Sequence, residues 1–287
     1  MSVFAGQSSN PWSLYDEMIA GVPEDVLVTD YGVGTAWSYV EAECGMGVAW
    51  TARDGMPRRE KGDLRGRTLR DLASLSKSWS FIEATLGVAA LNAWYSHPER
   101  LAASGLRTQY ESIRGEVAQP VGPEATDAAV QENERGPRLG MKLDAFEMMR
   151  PEIEARGDAN VVVVGHFPRV TAIADYANLT VLERKCSDEW DTPDPACEYV
   201  MPEADYAFIT GVTLINKTAP RLLTLAKDAH VTMVGPSVVM APALFSWGAD
   251  SLSGSVVSDP EAVRFGTRNG AGKLFGRALQ MVITTRD

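Results

Sequence analysis

The chain has 287 residues, 45% of them hydrophobic and 23% charged, which is enough apolar material for a core in each of two domains and unlike a disordered, collagenous or low-complexity protein. Its formal charge of -11, from 27 basic against 38 acidic side chains, repels a phosphate backbone, so nucleic acid is not an expected partner. The sequence opens without the basic start and apolar stretch of a signal peptide, and no run approaches the ~18 apolar residues of a membrane helix, so the protein is expected in the cytoplasm and off the membrane.

The first hundred residues mix helix and strand signals. Pro11, tolerated in a first turn, precedes a short helix over 12–20. Strands are predicted at 25–31, 35–40 and 47–51, separated by Gly32, Gly34 and the Gly45-Met46-Gly47 turn, an antiparallel meander. From Thr68 the pattern turns helical, and the strongest element is 80–95, where Ser80 and Glu83 have capping-box spacing and Ile82, Leu86, Ala89, Ala90, Ala93 and Trp94 recur at helical intervals. Gly87 inside it costs about 1 kcal/mol relative to Ala, and either a closely packed neighbour or a ligand would explain it. The basic run Arg58-Arg59-Glu60-Lys61, with Arg65, Arg67 and Arg70, reads as a solvated face or an anion-attracting one.

Between 104 and 140 apolar periodicity disappears and Pro, Gly and charges take over, marking a connection. The expected organisation is a smaller α+β domain over 1–106, a polar connection over 107–138 and an α/β domain over 139–287. The latter opens with an amphipathic helix over 143–155, with Leu143, Phe146, Met149 and Ile153 on one face. It then alternates strands (161–164, 178–182, 206–210, 231–234, 251–257, 280–284) with helices (168–176, 218–227, 241–247, 260–268). The first strand, Val161-Val162-Val163-Val164, is apolar on both faces, and the alternation predicts a parallel sheet with helices on both sides.

In such a sheet ligands bind beyond the carboxyl ends of the strands. Gly165, His166 and Phe167 follow the first strand, Glu183 ends the second, Thr210, Gly211 and Thr213 follow the third, and Pro236 and Ser237 follow the fourth. Gly165 suits a sharp turn, and Pro168 at a first helical position would aim free N–H groups at an anion. His166 is a candidate acid/base or metal ligand, since imidazole as a residue type exchanges protons near neutrality, or a loop histidine that caps backbone groups. Glu183 lies 18 residues after Gly165, near the spacing of a ribose-binding acid, but neither a G-x-G-x-x-G nor a P-loop accompanies it. Asn216 and Lys217 face either the cleft or a cap and solvent, with Thr218 a candidate N-cap and Pro220 in the first turn of the following helix.

Cys44, Cys186 and Cys197 are odd in number and widely spaced, which fits reduced thiols. No zinc or calcium motif occurs. Cys186, Asp188, Asp191, Asp194, Cys197 and Glu198 lie together on an expected loop, as a mixed soft and hard metal site or as ordinary loop acidity. His166, Cys186 and Cys197 are the metal-ligand candidates.

The segments GHFPRV (165–170), VLER (181–184), PDPACEYVMPEADYAFITGVTLINKTAPRLLTLAKDA (193–229), VGPS (234–237) and GADSLSGSVVSDPEAV (248–263) closely resemble the DUF364 family of heavy-metal chelation proteins. SWSFIEATLGVAALNA (78–93) and the Gly-rich strand around Gly45 and Gly47 resemble its partner domain, DUF4213. The resemblance implies an enolase-N-terminal-like α+β domain joined to a Rossmann-like α/β domain, with a cleft between them. It also implies metal handling or the making of chelating or pterin-like molecules. Carried onto this chain, its cleft positions are Gly165, His166, Glu183, Thr210, Asn216, Lys217 and Ser237, with Glu83 and Asn92 from the first domain. Two functions follow as expectations: binding of a small polar or anionic ligand or metal complex, with a transition metal or its complex as the cofactor class, or an enzyme of condensation or hydrolysis using His166 or Glu183 as acid/base. The expected partner is thus a small molecule or metal chelate, and a homodimer is the default assembly.

Overall fold

The computed structural model describes residues 10–111, 143–272, 274, 276 and 278–286, so the greater part of the predicted polar connection lies outside the described residues. The first half opens with helix α1 (Trp12–Ala20) and the meander β1 (Val28–Val33), β2 (Trp37–Ala42) and β3 (Gly45–Trp50), ordered β1-β2-β3 and antiparallel throughout. Helices α2 (Leu69–Ser74), α3 (Phe81–Tyr95) and α4 (Pro98–Ala103) complete it.

The predicted amphipathic face of α3 is instead burial on nearly every side, with Glu83 through Ala93 all buried. The reason is its place: α3 packs on β2 and β3 on one flank and on a helix of the second half on the other. Gly87 is what permits this. A Cβ there would sit 2.0 Å from the Ser76 backbone nitrogen, so a closely packed neighbour explains it. The capping box does not form. The Ser80 hydroxyl has no partner, and the Glu83 carboxylate turns outward to the loop before the helix.

An eight-stranded sheet carries the second half: β4 (Arg107–Tyr110), β5 (Asn160–Val164), β6 (Asn178–Glu183), β7 (Asp191–Pro193), β8 (Tyr206–Thr210), β9 (His230–Val234), β10 (Ser251–Val257) and β11 (Leu279–Thr285). In space the order is β4-β11-β10-β9-β8-β5-β6-β7. Pairings from β7 to β10 are all parallel, and counting β5 as the first parallel strand gives the 3-2-1-4-5-6 order of a Rossmann-like doubly wound sheet. The connecting helices are α5 (Ala145–Arg156), α6 (Cys197–Val200), α7 (Val212–Asn216), α8 (Ala219–Leu225), α9 (Pro242–Ser246) and α10 (Pro260–Arg268).

Three expectations need correction. The last predicted strand, β11, runs antiparallel to β10, and β4 pairs antiparallel with β11. The cause is α10, which packs on β1 and β2 of the first half instead of crossing back over the sheet, so the chain re-enters in the reverse sense. The predicted helix over 168–176 is a 3-10 turn, Val170–Asp175, preceded by Arg169 in the left-handed region (φ 62), so Pro168 is not its first residue and no free α-helical N-terminus points at the strand end. The segment expected to be a loop around Asp191 contributes the edge strand β7.

β5 shows why the sheet is buried on both faces. Val162 and Val164 enter a core that runs continuously through Leu86, Leu91, Ile209 and Leu214, whereas Val161 and Val163 join Ile153 and Phe208 on the opposite face. The first of these cores spans both halves of the chain, tied by the Tyr15 hydroxyl donating to the Leu214 carbonyl (2.9 Å). Each fully buried Leu or Ile contributes about 1.5–3 kcal/mol. A third core joins Trp37, Tyr39 and Val48 of the meander to Val263 and Leu279. Among the described residues no helix is long and apolar enough to cross a membrane.

Candidate functional site

β6 and β8 leave β5 on opposite sides, so the crevice beyond its carboxyl end is the switch point of the sheet, where ligands of open α/β sheets bind. A cavity of about 590 Å³ occupies that place. Gly165 turns the chain out of β5 at φ +100, a conformation that costs a side-chain-bearing residue energy. Phe167 then packs edge-on against Phe146 of α5 (5.4 Å between centroids), which fixes the loop and leaves His166 at the mouth.

Of the predicted site residues, Gly165, His166, Phe167, Glu183, Thr210, Thr213, Asn216, Pro236, Ser237 and Cys197 line this cavity. Several have settled bonds. The Thr213 hydroxyl donates to the Thr210 carbonyl (2.6 Å), Ser237 Oγ accepts the Trp50 N–H (2.8 Å), and Asn216 Oδ1 accepts both the N–H (3.1 Å) and the hydroxyl (2.7 Å) of Thr218. Thr218 itself makes no side-chain cap; its N–H and hydroxyl are instead tied to Asn216 Oδ1. Gly211 is not on the wall; it lies close against the backbone of Ser237 and Val238.

Glu83, Asn92 and Lys217 are likewise away from the cavity wall. Glu83 accepts from the Arg59 and Glu60 N–H groups and the Ser78 hydroxyl. Burial pushes its carboxyl up, but those donors outweigh burial and hold it below the usual range. The Asn92 amide donates to the Val48 carbonyl (2.9 Å) and more weakly to Pro236 (3.4 Å), and its oxygen accepts the Ser96 hydroxyl (2.8 Å). Lys217, in the left-handed region (φ 70), donates to the carbonyls of Ser78 and Ile215 beneath the rings of Trp79 and Phe81. Burial lowers its pKa to about 8.

Three contributors escaped the sequence reading: Trp37, Trp50 and Arg221. Trp37 and Trp50 come from the meander, edge to face at 5.3 Å, and form the wall that the first half supplies. Trp50 is 40% exposed, a large apolar surface open at this site. Arg184 and Arg221 put positive charge on the wall, Arg184 lying 3.5 Å from Asp194 and Arg221 forked onto Glu198. Arg184, directly after Glu183 at the end of the second parallel strand, is among the positions the sequence singles out. Burial and neighbouring Asp194 push the Glu183 carboxyl up, and burial pushes Asp194 up. Burial and the nearby carboxylates of Glu198 and Asp194 raise the Cys197 thiol, disfavouring the thiolate needed for soft-metal ligation.

At the mouth His166 meets two carboxylates. Its Nδ1 lies 3.5 Å from Asp191 Oδ1 and its Nε2 3.8 Å from Asp188 Oδ2. Hydrogen bonds from Ser187 and Asp188 backbone N–H groups hold one Asp191 oxygen and keep its carboxyl below the usual range. Cys186 stays out of this group, exposed and turned to the Glu183 carbonyl (3.8 Å). All three cysteines are free.

The fold and site define a doubly wound α/β protein with a cavity at its switch point and an added α+β half that closes one wall. The chain belongs to the DUF364 family, whose model, described as "Putative heavy-metal chelation", matches residues 144–283; the DUF4213 model, described in the same words, matches 15–95. A crystal structure of a DUF364 protein of unknown function from Desulfitobacterium hafniense is 30% identical, with a TM-score of 0.74, covering 96% of this chain and 98% of that one. A second DUF364 structure, from Pyrococcus horikoshii, shares the fold at 20% identity and a TM-score of 0.70, covering 96% of this chain and 99% of that one. An uncharacterized protein from Methanocaldococcus jannaschii is 26% identical over 235 residues, 77% of this chain and 75% of the relative.

Proposed function

We propose that this protein binds a small polar or anionic molecule, or its complex with a transition metal, in the cavity between its two halves, and that this is how it takes part in heavy-metal chelation. The observation that carries the reading is the cavity itself: about 590 Å³, at the switch point, walled by the Trp37–Trp50 pair and edged by Arg184, Arg221, Glu183 and Asp194. Apolar walls with a few charged groups of both signs suit a compact ligand carrying carboxylates and amines, which is the chemistry of a metal chelator. The three free thiols fit a reducing compartment, and we place the protein in the cytoplasm.

Tryptophan fluorescence tests it. Titration with aminopolycarboxylate chelators, free and as Ni²⁺, Co²⁺ or Zn²⁺ complexes, is expected to give saturable quenching that weakens at least tenfold (~1.4 kcal/mol) in Trp50→Ala. Absence of quenching with every chelator and complex would refute binding of this ligand class. A second reading, acid/base turnover of such a molecule, draws on Glu183, whose raised pKa keeps a proton on the cavity wall to higher pH. Its test is product formation from chelator precursors, lost in Glu183→Gln.

A further inference from the structure

The turn between β6 and β7 carries a feature that cavity binding does not use. The Asp191 side chain is 0% exposed, and while its Oδ2 accepts from the Ser187 N–H (2.6 Å), the Asp188 N–H (3.1 Å) and the Ser187 hydroxyl (3.3 Å), its Oδ1 has no hydrogen-bond partner. A buried carboxylate oxygen without a donor is costly, so something positive belongs beside it. That oxygen is aimed at His166. Asp188 is fixed in the same turn by accepting the Trp190 N–H on Oδ1 (2.9 Å), which leaves Oδ2 toward the same imidazole. Among the described residues these three are the one group of His, Cys, Asp and Glu side chains with metal-ligand spacing, one atom from each within 4.8 Å of the other two. Among the described residues His166 is also the only basic group within 4 Å of either aspartate.

We infer that His166, Asp188 and Asp191 form a divalent-cation site at the mouth of the cavity. One imidazole nitrogen and two carboxylates make a hard-to-borderline donor set, which suits Mn²⁺, Fe²⁺, Co²⁺ or Zn²⁺ and not thiophilic ions such as Cd²⁺ or Hg²⁺. Cys186 and Cys197, the candidates for soft-metal ligation in the sequence, are outside the group. Three protein ligands leave coordination positions open, and because His166 also lines the cavity those positions face the space where a ligand's own donors would arrive. The site is built by strand topology: β7 pairs parallel with β6, Val181 opposite Asp191, and this brings the turn alongside the loop that leaves β5.

The test uses metals alone, without any chelator, so that its outcome is separate from that of cavity binding. Metal-stripped full-length protein is titrated calorimetrically with MnCl₂, CoCl₂ and ZnCl₂, and the Co²⁺ form is read by its visible d–d bands. The expected result is one site per chain, with affinity weakened at least tenfold in His166→Ala, Asp188→Asn and Asp191→Asn and unchanged in Cys186→Ser and Cys197→Ser. Asp188 and His166 side chains are 40% and 48% exposed, so their variants keep the fold even if Asp191→Asn does not, and near-ultraviolet circular dichroism checks this. No binding by wild type, equal binding by His166→Ala and Asp188→Asn, or loss of binding in Cys186→Ser would overturn the assignment.

Discussion

The layer behind the cavity wall and the mouth of the cleft both contain polar residues that the sequence marks for ligand contact, and they have opposite bonding. Behind the wall Glu83, Asn92 and Lys217 are bonded within the chain: three donors on Glu83, two carbonyls and a hydroxyl on Asn92, two carbonyls on Lys217. At the mouth His166 meets its carboxylates only at 3.5 and 3.8 Å, Asp191 Oδ1 has no donor, and Glu183 and Asp194 stand near one another with raised pKa values. Polar groups bonded within the chain hold the packing behind the cavity; those with bonding capacity to spare are where an outside partner is met.

The comparison is open to attack in order of expected effect. Glu83→Ala orphans two backbone donors and a hydroxyl and is expected to lower stability by ~3 kcal/mol in urea unfolding. An unchanged midpoint would break the claim that these groups behind the wall are structural. Gly87→Ala sets about 1 kcal/mol of helix propensity gained against a Cβ forced onto the Ser76 backbone at 2.0 Å; overpacking wins, with a net loss of ~1–2 kcal/mol.

Lys217 gives a pH signature. Its folded pKa of about 8 lies below the ordinary 10.5, so between those values the unfolded chain holds more protons and stability rises with pH. Comparing Lys217→Met with wild type across this window should reveal a gain on the order of 1 kcal/mol in wild type alone, discounted for partial exposure. Glu183 has the opposite sign. Its folded pKa is raised, so above the ordinary 4.5 the folded chain holds more protons and stability falls as pH climbs through that window. Glu183→Gln is expected to remove this slope, with no loss of stability at neutral pH.

The strand ends were legible because short apolar runs closed by glycine leave little choice: Val161 to Val164 end at Gly165, and Tyr206 to Thr210 end at Gly211. The Ser80–Glu83 spacing predicts a capping box only from local sequence, whereas Glu83 answers to the Arg59 and Glu60 N–H groups more than twenty residues upstream. Trp37 and Trp50 were invisible as site residues since a meander aromatic looks like core until the second half is docked against it. The direction of β11 depended on where α10 packs, a tertiary fact carried by Arg264 reaching Glu41 across 223 residues. The His166–Asp191 pairing arose the same way. Each residue stands out in the sequence, but edge strand β7, only three residues long, is what brings them together.

Native mass spectrometry of the protein as isolated from its host, with elemental analysis of the same sample, tests most directly whether the cavity is a binding site. Wild type is expected to carry a small molecule or metal complex above the mass of the chain, and Trp50→Ala to release it while remaining folded. A wild type that emerges with nothing bound, or a Trp50→Ala variant that retains the same mass in full, would contradict binding at this cavity.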